Sequence, residues 1–346
     1  MRNHEVVTAH RLLDEKGALI EPGWSRSLVQ IYDRNDIKKR KTRIKEWDYY
    51  YVMSHSNKIA LCLTISDLSY LGMASVSIVN LENATEHTDS IIVPFTMGKT
   101  NLPPTSAVGD VKFKNKKLAM EFLNKGDYRV LRVDYPEFDG GKGLRANVKL
   151  TDEPQDSMVI ATPWAEDKKA FYYNQKIDCL RASGKIEYDG QLIALDRELD
   201  FAGLDWGRGV WTYDNVWYWG SGSGQVDGVP FGFNIGYGFG DTSAATENAL
   251  IYNGSLHKLD HVTFEIPMKD RKEDYLSPWR FTSSDGRFEM QFRPVLDRAA
   301  CTDFKLLKSD QHQVFGTFTG TAVLDDGSAL SVRDFFGFAE KVENKW

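Results

Sequence analysis

An acid and a guanidinium stand three residues apart in Leu204-Asp205-Trp206-Gly207-Arg208-Gly209-Val210-Trp211-Thr212-Tyr213, and Val216-Trp217-Tyr218-Trp219 comes soon after. Burying either charge alone is costly, so an interior Asp205 and Arg208 must pair with each other or with partners from elsewhere. A carboxylic acid kept neutral at pH 7 by an apolar setting is a proton donor suited to hydrating or isomerising an alkene. Asp205, flanked by Trp206 and Trp211, fits that part. Tyr213, Trp217 and Trp219 would steady developing positive charge through their π faces. Arg208 pulls the other way, because a nearby cation favours the ionised aspartate and a base role. A salt bridge closing a barrel end, with the tryptophans as core, accounts for the same residues equally well.

Further polar residues gather at Asp241-Thr242-Ser243 and Thr246-Glu247-Asn248. Acid, amide and hydroxyl groups beside an aromatic wall suit a pocket rim, with Asn234, Arg287 and Gln313 as contributors from neighbouring strands. Three readings share these residues. The first is an acid–base enzyme of hydratase, isomerase or cyclase type on an unsaturated lipophilic substrate, with Asp205 and Arg208 at its centre. The second is a non-catalytic carrier or sensor of a lipid-like molecule, with Arg208 holding a carboxylate or phosphate head group. The third is a carbohydrate-active β protein, using tryptophan platforms and the acids Asp205 and Glu247. The first two require the acid and the guanidinium to face a hollow bounded by sheet.

The elements that would position these groups are strands. Asx-Gly pairs recur at Asp139-Gly140, Asp189-Gly190, Asp227-Gly228, Asn253-Gly254, Asp285-Gly286 and Asp326-Gly327, the chemistry of tight hairpin turns. Between them apolar and polar residues alternate, as in Phe288-Glu289-Met290-Gln291-Phe292-Arg293, which favours antiparallel sheet with one buried face. From Phe231 to Gly240 one face carries Phe231, Phe233, Ile235, Tyr237 and Phe239, while the other is glycine except for Asn234. Something must approach that bare face closely: a neighbouring sheet, a barrel corner or a ligand. Ile59–Ile65, Ala74–Val79 and Val130–Tyr135 read as strands, residues 116–124 as helix or strand, and Pro103-Pro104 as a loop. A denser set of aromatic strands begins near residue 190, so two β domains are expected, 1–190 and 191–346, the second carrying the ligand site.

At 346 residues, with 42% hydrophobic and 27% charged residues, the chain has the profile of a folded protein. Its net charge of −6 argues against broad nucleic-acid binding. The basic run Lys38–Lys45 is the exception and would make at most weak contact with an anionic surface. Cys62, Cys179 and Cys301 have no metal spacing and suit a reducing compartment. The polar N-terminus and the absence of ~18–20 uninterrupted apolar residues point to a cytoplasmic address without a transmembrane segment. Gly220-Ser221-Gly222-Ser223-Gly224 lacks the residues of a phosphate-binding loop and reads as a flexible connection. His257 and His261 would bind metal only on a helix, where a strand is expected. No metal or other cofactor is expected.

Several motifs together resemble a bacterial domain-of-unknown-function family, number 2804: Asp205-Trp206-Gly207-Arg208-Gly209-Val210-Trp211, Gly238-Phe239-Gly240-Asp241, Glu247-Asn248, Trp47-Asp48-Tyr49, Pro163-Trp164, Phe171-Tyr172-Tyr173, His312-Gln313-Val314-Phe315-Gly316 and Gly337-Phe338-Ala339-Glu340. They span nearly the whole chain; Thr212 stands where the family carries proline. A shorter stretch, Ala182-Ser183-Gly184-Lys185-Ile186-Glu187-Tyr188-Asp189-Gly190 and then Asp205-Trp206-Gly207, is similar to carotenoid hydratases of the hydroxyneurosporene synthase type. That likeness implies an all-β antiparallel fold of two lipocalin-like (calycin) β-barrel or β-sandwich halves in tandem, with Asp205 as the matching acid. It implies nothing for Arg208, Asp241 or Glu247.

Overall fold

The computed structural model of the chain describes residues 3–304 and 307–345, with side chains except at 302–304 and 307. Among these residues nearly all regular structure is antiparallel strand, arranged as two curled half-barrels in tandem. Eleven strands form the central part of the two sheets: β1 (Ile44–Ser54), β2 (Ile59–Asp67), β3 (Leu71–Asn80), β4 (Thr85–Pro94), β5 (Phe171–Tyr188), β6 (Phe201–Val210), β7 (Asp214–Val226), β8 (Val229–Tyr237), β9 (Phe288–Phe304), β10 (Leu307–Val323) and β11 (Ala329–Lys345). The first sheet runs β4-β3-β2-β1-β6-β5 and continues through Leu144–Thr151, Arg129–Tyr135, Ala119–Asn124 and Val111–Lys114. The second runs from Ser255–Lys258 and Ala249–Tyr252 through β8-β7-β11-β10-β9 to Trp279–Ser283 and Val262–Glu265.

Turn chemistry sets much of this. Asp189-Gly190, Asp227-Gly228 and Asn253-Gly254 each close a two-residue hairpin with both residues at positive φ, the geometry that matches strand twist. The ambiguous 116–124 segment is strand from Ala119 to Asn124. The change of sheet comes at residues 211–213, later than the expected boundary at 190. The reason is that β6 pairs with β1 and β5 in the middle of the first sheet. Among the described residues no helix is long and apolar enough to cross a membrane.

Strands β7 and β8 of the second sheet are largely buried on both faces. Phe231, Phe233, Ile235, Phe292 and Phe318 fill the sheet's own curl. Trp219, Phe315, Phe336 and Phe338 pack with the first half. The glycine face of β8 belongs to this seam. A Cβ at Gly232 would fall 2.7 Å from Sγ of Cys179 on β5, and one at Gly236 would fall 2.4 Å from Oε1 of Glu247. The bare face therefore takes both a neighbouring sheet and a carboxylate. The 220–224 run is not a flexible connection: it lies inside β7, buried. Its serines reach the seam while Gly222 and Gly224 make room for phenylalanine and histidine rings.

Candidate functional site

Strand β6 reads Gly203-Leu204-Asp205-Trp206-Gly207-Arg208-Gly209, so on one face Asp205 is the only side chain among glycines. Aromatic rings from β1 lie over those glycines: a Cβ at 203 would sit 2.3 Å from the Tyr51 ring, and one at 207 would sit 2.1 Å from the Trp47 ring. The carboxylate is thus slotted between flat rings. Gly207→Ala should cost about 1–3 kcal/mol of stability by forcing Trp47 aside, measurable as a shift in urea midpoint.

From the adjoining β5 come the partners of Asp205. Lys176 Nζ lies 3.0 Å from its Oδ2, and Asn174 Nδ2 donates to its Oδ1 at 2.6 Å. The Lys176 ammonium also sits over the Trp219 ring, 3.9 Å from its centre. The facing wall is the second sheet. Trp219 donates to Asn234 Oδ1 at 2.7 Å, and Asn234 donates to the Glu247 carbonyl at 2.8 Å. Glu247 accepts one long bond, 3.3 Å, from the Tyr172 hydroxyl, and its Oε1 is buried without a partner. Glu340 accepts from Trp217 at 3.0 Å and from Gln313 at 3.1 Å. Deeper along the seam the Tyr51 hydroxyl donates to Asp178 at 2.7 Å and meets Ser221 and Ser223 at 2.8 Å. Asp178 occupies a bulge in β5 beside Cys179, which is held at φ 63°.

Burial dominates the electrostatics here. Desolvation pushes the Glu247 carboxyl up to about 7; Lys176 opposes the shift and Asp205 adds to it. Desolvation likewise raises Glu340 to about 7, against the bond from Trp217 and the charges of Lys176 and Arg298. Asp178 is raised to about 6, again by burial, with its bonds to Tyr51 and Ser221 holding it down. An ion-paired aspartate and two glutamates that hold protons near neutrality thus share one closed seam. Carboxyls with such different surroundings can divide the parts of acid and base.

The family model for the domain of unknown function 2804 matches residues 3–346. The chain belongs to this family. No curated protein matches it. Two solved structures share the tandem lipocalin-like fold of this DUF2804 chain at low identity. The structure of an AttH candidate from Nitrosomonas europaea aligns over 91% of this chain and 98% of its own, with 16% identity and a TM-score of 0.55. CghA, solved with Sch210972, aligns over 96% of this chain and 97% of its own, with 12% identity and a TM-score of 0.57. Kievitone hydratase from Nectria haematococca aligns over 97% and 98%, with 10% identity and a TM-score of 0.49.

Within the DUF2804 fold the residues singled out from sequence scatter. Asp205, Trp217, Trp219, Asn234, Glu247 and Gln313 meet in the seam. Arg208 does not. Positions 205 and 208 differ in parity, so on a strand they face opposite ways. Arg208 points into the first half-barrel, pairs with Asp48 at 2.9 Å, and donates to the carbonyls of Trp47, Gly207 and Pro103. It stacks on Trp206, which packs against Tyr32 and Tyr173 in the same core. Trp211 packs among Trp47, Trp164, Tyr172 and Trp217. Tyr213 is 47% exposed. Asp241 sits in a loop, accepting from Ser243. Asn248 ties Gly236 to Asp260, and Arg287 binds Asp325 and two carbonyls at a distant turn. His257 is on a strand, outside the helical metal spacing. Lys45 of the basic run is buried over Tyr70 and Lys39 pairs with Asp167, while Lys38, Arg40 and Lys41 are exposed. Sequence reasoning misses Lys176, Asn174 and Asp178, although a lysine and an aspartate inside the apolar run Phe171–Leu180 are a signal. Glu340 stands out in the sequence only through its family motif.

Proposed function

We propose that the seam between the two half-barrels binds a lipophilic, unsaturated small molecule and carries out hydratase-type proton chemistry on it. Glu247, protonated near neutral pH, is the acid: its proton goes to one alkene carbon. The cation formed at the other carbon faces the Asp205 carboxylate, which Lys176 and Asn174 hold in place. A water oxygen then bonds to that carbon, and the proton it sheds returns to a seam carboxylate, so the net change is addition of one water. The observation that carries this reading is the Glu247 side chain itself: buried, weakly bonded through one oxygen and unpartnered at the other, beside an ion-paired aspartate. Leaving such an oxygen unbonded costs about 1–3 kcal/mol in a merely structural role.

The test is incubation of the protein with a lipid extract in ¹⁸O-labelled water, with the products read by mass spectrometry. The expected result is a product heavier by one labelled water, formed by the wild type and not by Asp205→Asn or Glu247→Gln. Equal product from the Glu247→Gln protein would remove the assignment. A stoichiometric, unaltered lipid released from the wild type would instead favour carriage.

A further inference from the structure

At one end of the seam, Arg298 of β9 joins the two sheets. Its guanidinium donates to Ser77 Oγ on β3 at 2.6 Å and to Gln313 Oε1 on β10 at 2.6 Å. The second bond fixes the Gln313 amide, whose nitrogen then donates to Glu340. Among the described residues no carboxylate lies within ion-pairing distance of Arg298, unlike Arg208 and Arg129, which pair with Asp48 and Glu153. Its hydrogen-bond partners are neutral, and the Glu340 and Glu86 carboxylates act on it only at longer range, so its planar fork can still receive an anion.

Its surroundings are donors too. The Tyr49 hydroxyl, within electrostatic reach of Arg298, is buried beside the Cys62 thiol. Ser77 and Ser75 are buried, and each is bonded at 2.8 Å to a hydroxyl of the exposed edge strand β4, Thr88 and Ser90 respectively. This ladder leads from solvent to Arg298, while Tyr49, Trp219 and Phe338 continue inward as an aromatic wall.

We infer that Arg298 receives the carboxylate of an amphipathic ligand whose apolar body lies along the seam toward Asp205 and Glu247. This deepens the proposed function by naming the substrate class, a lipophilic carboxylic acid, and rests on that reading. One guanidinium fork with hydroxyl neighbours matches a singly charged planar carboxylate; a phosphate would call for more cations than this end of the seam supplies.

Oleate and methyl oleate are the probes, titrated against tryptophan fluorescence. The wild type should bind oleate about tenfold or more tighter than the ester. Arg298→Met should bring oleate down to the ester's affinity and leave the ester unchanged, and Arg298→Lys should fall between. Equal binding of acid and ester by the wild type overturns the inference, even if Arg298→Met does not fold. So does undiminished oleate binding by Arg298→Met. In both cases ester binding leaves the lipophilic seam standing. Binding of neither probe overturns the carboxylate assignment. If native mass spectrometry of source-purified protein then also finds no apolar ligand, the proposed function falls with it.

Discussion

Arg208→Met is expected to lower folding stability by about 3–5 kcal/mol, read as a fall in urea midpoint, while turnover by the protein that remains folded stays near wild type. The substitution strands the Asp48 carboxylate, only 5% exposed, and leaves the carbonyls of Trp47, Gly207 and Pro103 without their donor. Burial already drives the Asp48 carboxyl up, and Arg208 is the largest influence holding it down. Adding Asp48→Leu should restore part of the loss, because a buried pair removed together leaves no orphan charge. A loss below about 1 kcal/mol would place the pair among those that contribute little. Loss of turnover at full stability would return Arg208 to the catalytic residues.

Glu247→Gln should reduce turnover by about 10²–10⁴-fold, the usual contribution of a positioned acid, and should also change how stability depends on pH. The Glu247 carboxyl rises from its ordinary 4.5 to about 7 on folding, so between those values the native state holds a proton that the unfolded chain has lost. Native stability therefore falls as pH rises from 4.5 to about 7 and levels off above. The fall is on the order of 3 kcal/mol for this group. Glu340, raised in the same way, adds a second contribution over the same window. In Glu247→Gln one contribution disappears, so its thermal midpoint should decline less from pH 5 to pH 7 than that of the wild type. Wild-type activity should fall above about pH 7 as the acid ionises. Identical pH–stability curves for the two proteins would show that Glu247 carries no displaced proton.

Much of the architecture was legible because it rests on local rules. Of the six Asx-Gly pairs, Asp189-Gly190, Asp227-Gly228 and Asn253-Gly254 close two-residue hairpins with both residues at positive φ, whereas Asp139-Gly140 lies in a longer connection and Asp285 and Asp326 lack positive φ. The glycine face of β8 announced a close approach, and Cys179 and Glu247 make it. The site was legible only in part. Their closeness in sequence suggests that Asp205 and Arg208 share one site, whereas their odd spacing on a strand drives them apart. The alternation of glycine around Asp205 was visible and is the better signal. What brings Glu247, Glu340 and Lys176 together is different in kind. Lys176 lies on β5 of the first sheet, Glu340 on β11 of the second and Glu247 in the loop before Ala249–Tyr252, and no spacing rule within one strand records which faces will meet.

Strand β6 has a consequence for how the protein is made. It is the last strand of the first sheet to leave the ribosome, yet it fills the place between β1 and β5, with Arg208 opposite Glu46 and Tyr173. A nascent chain that has emerged only to residue 190 therefore exposes two inner edges with unpaired backbone groups, an invitation to associate with other chains. The first half-barrel cannot close on its own account. It waits for the last of its strands, Phe201–Val210, to be inserted between two that are already made.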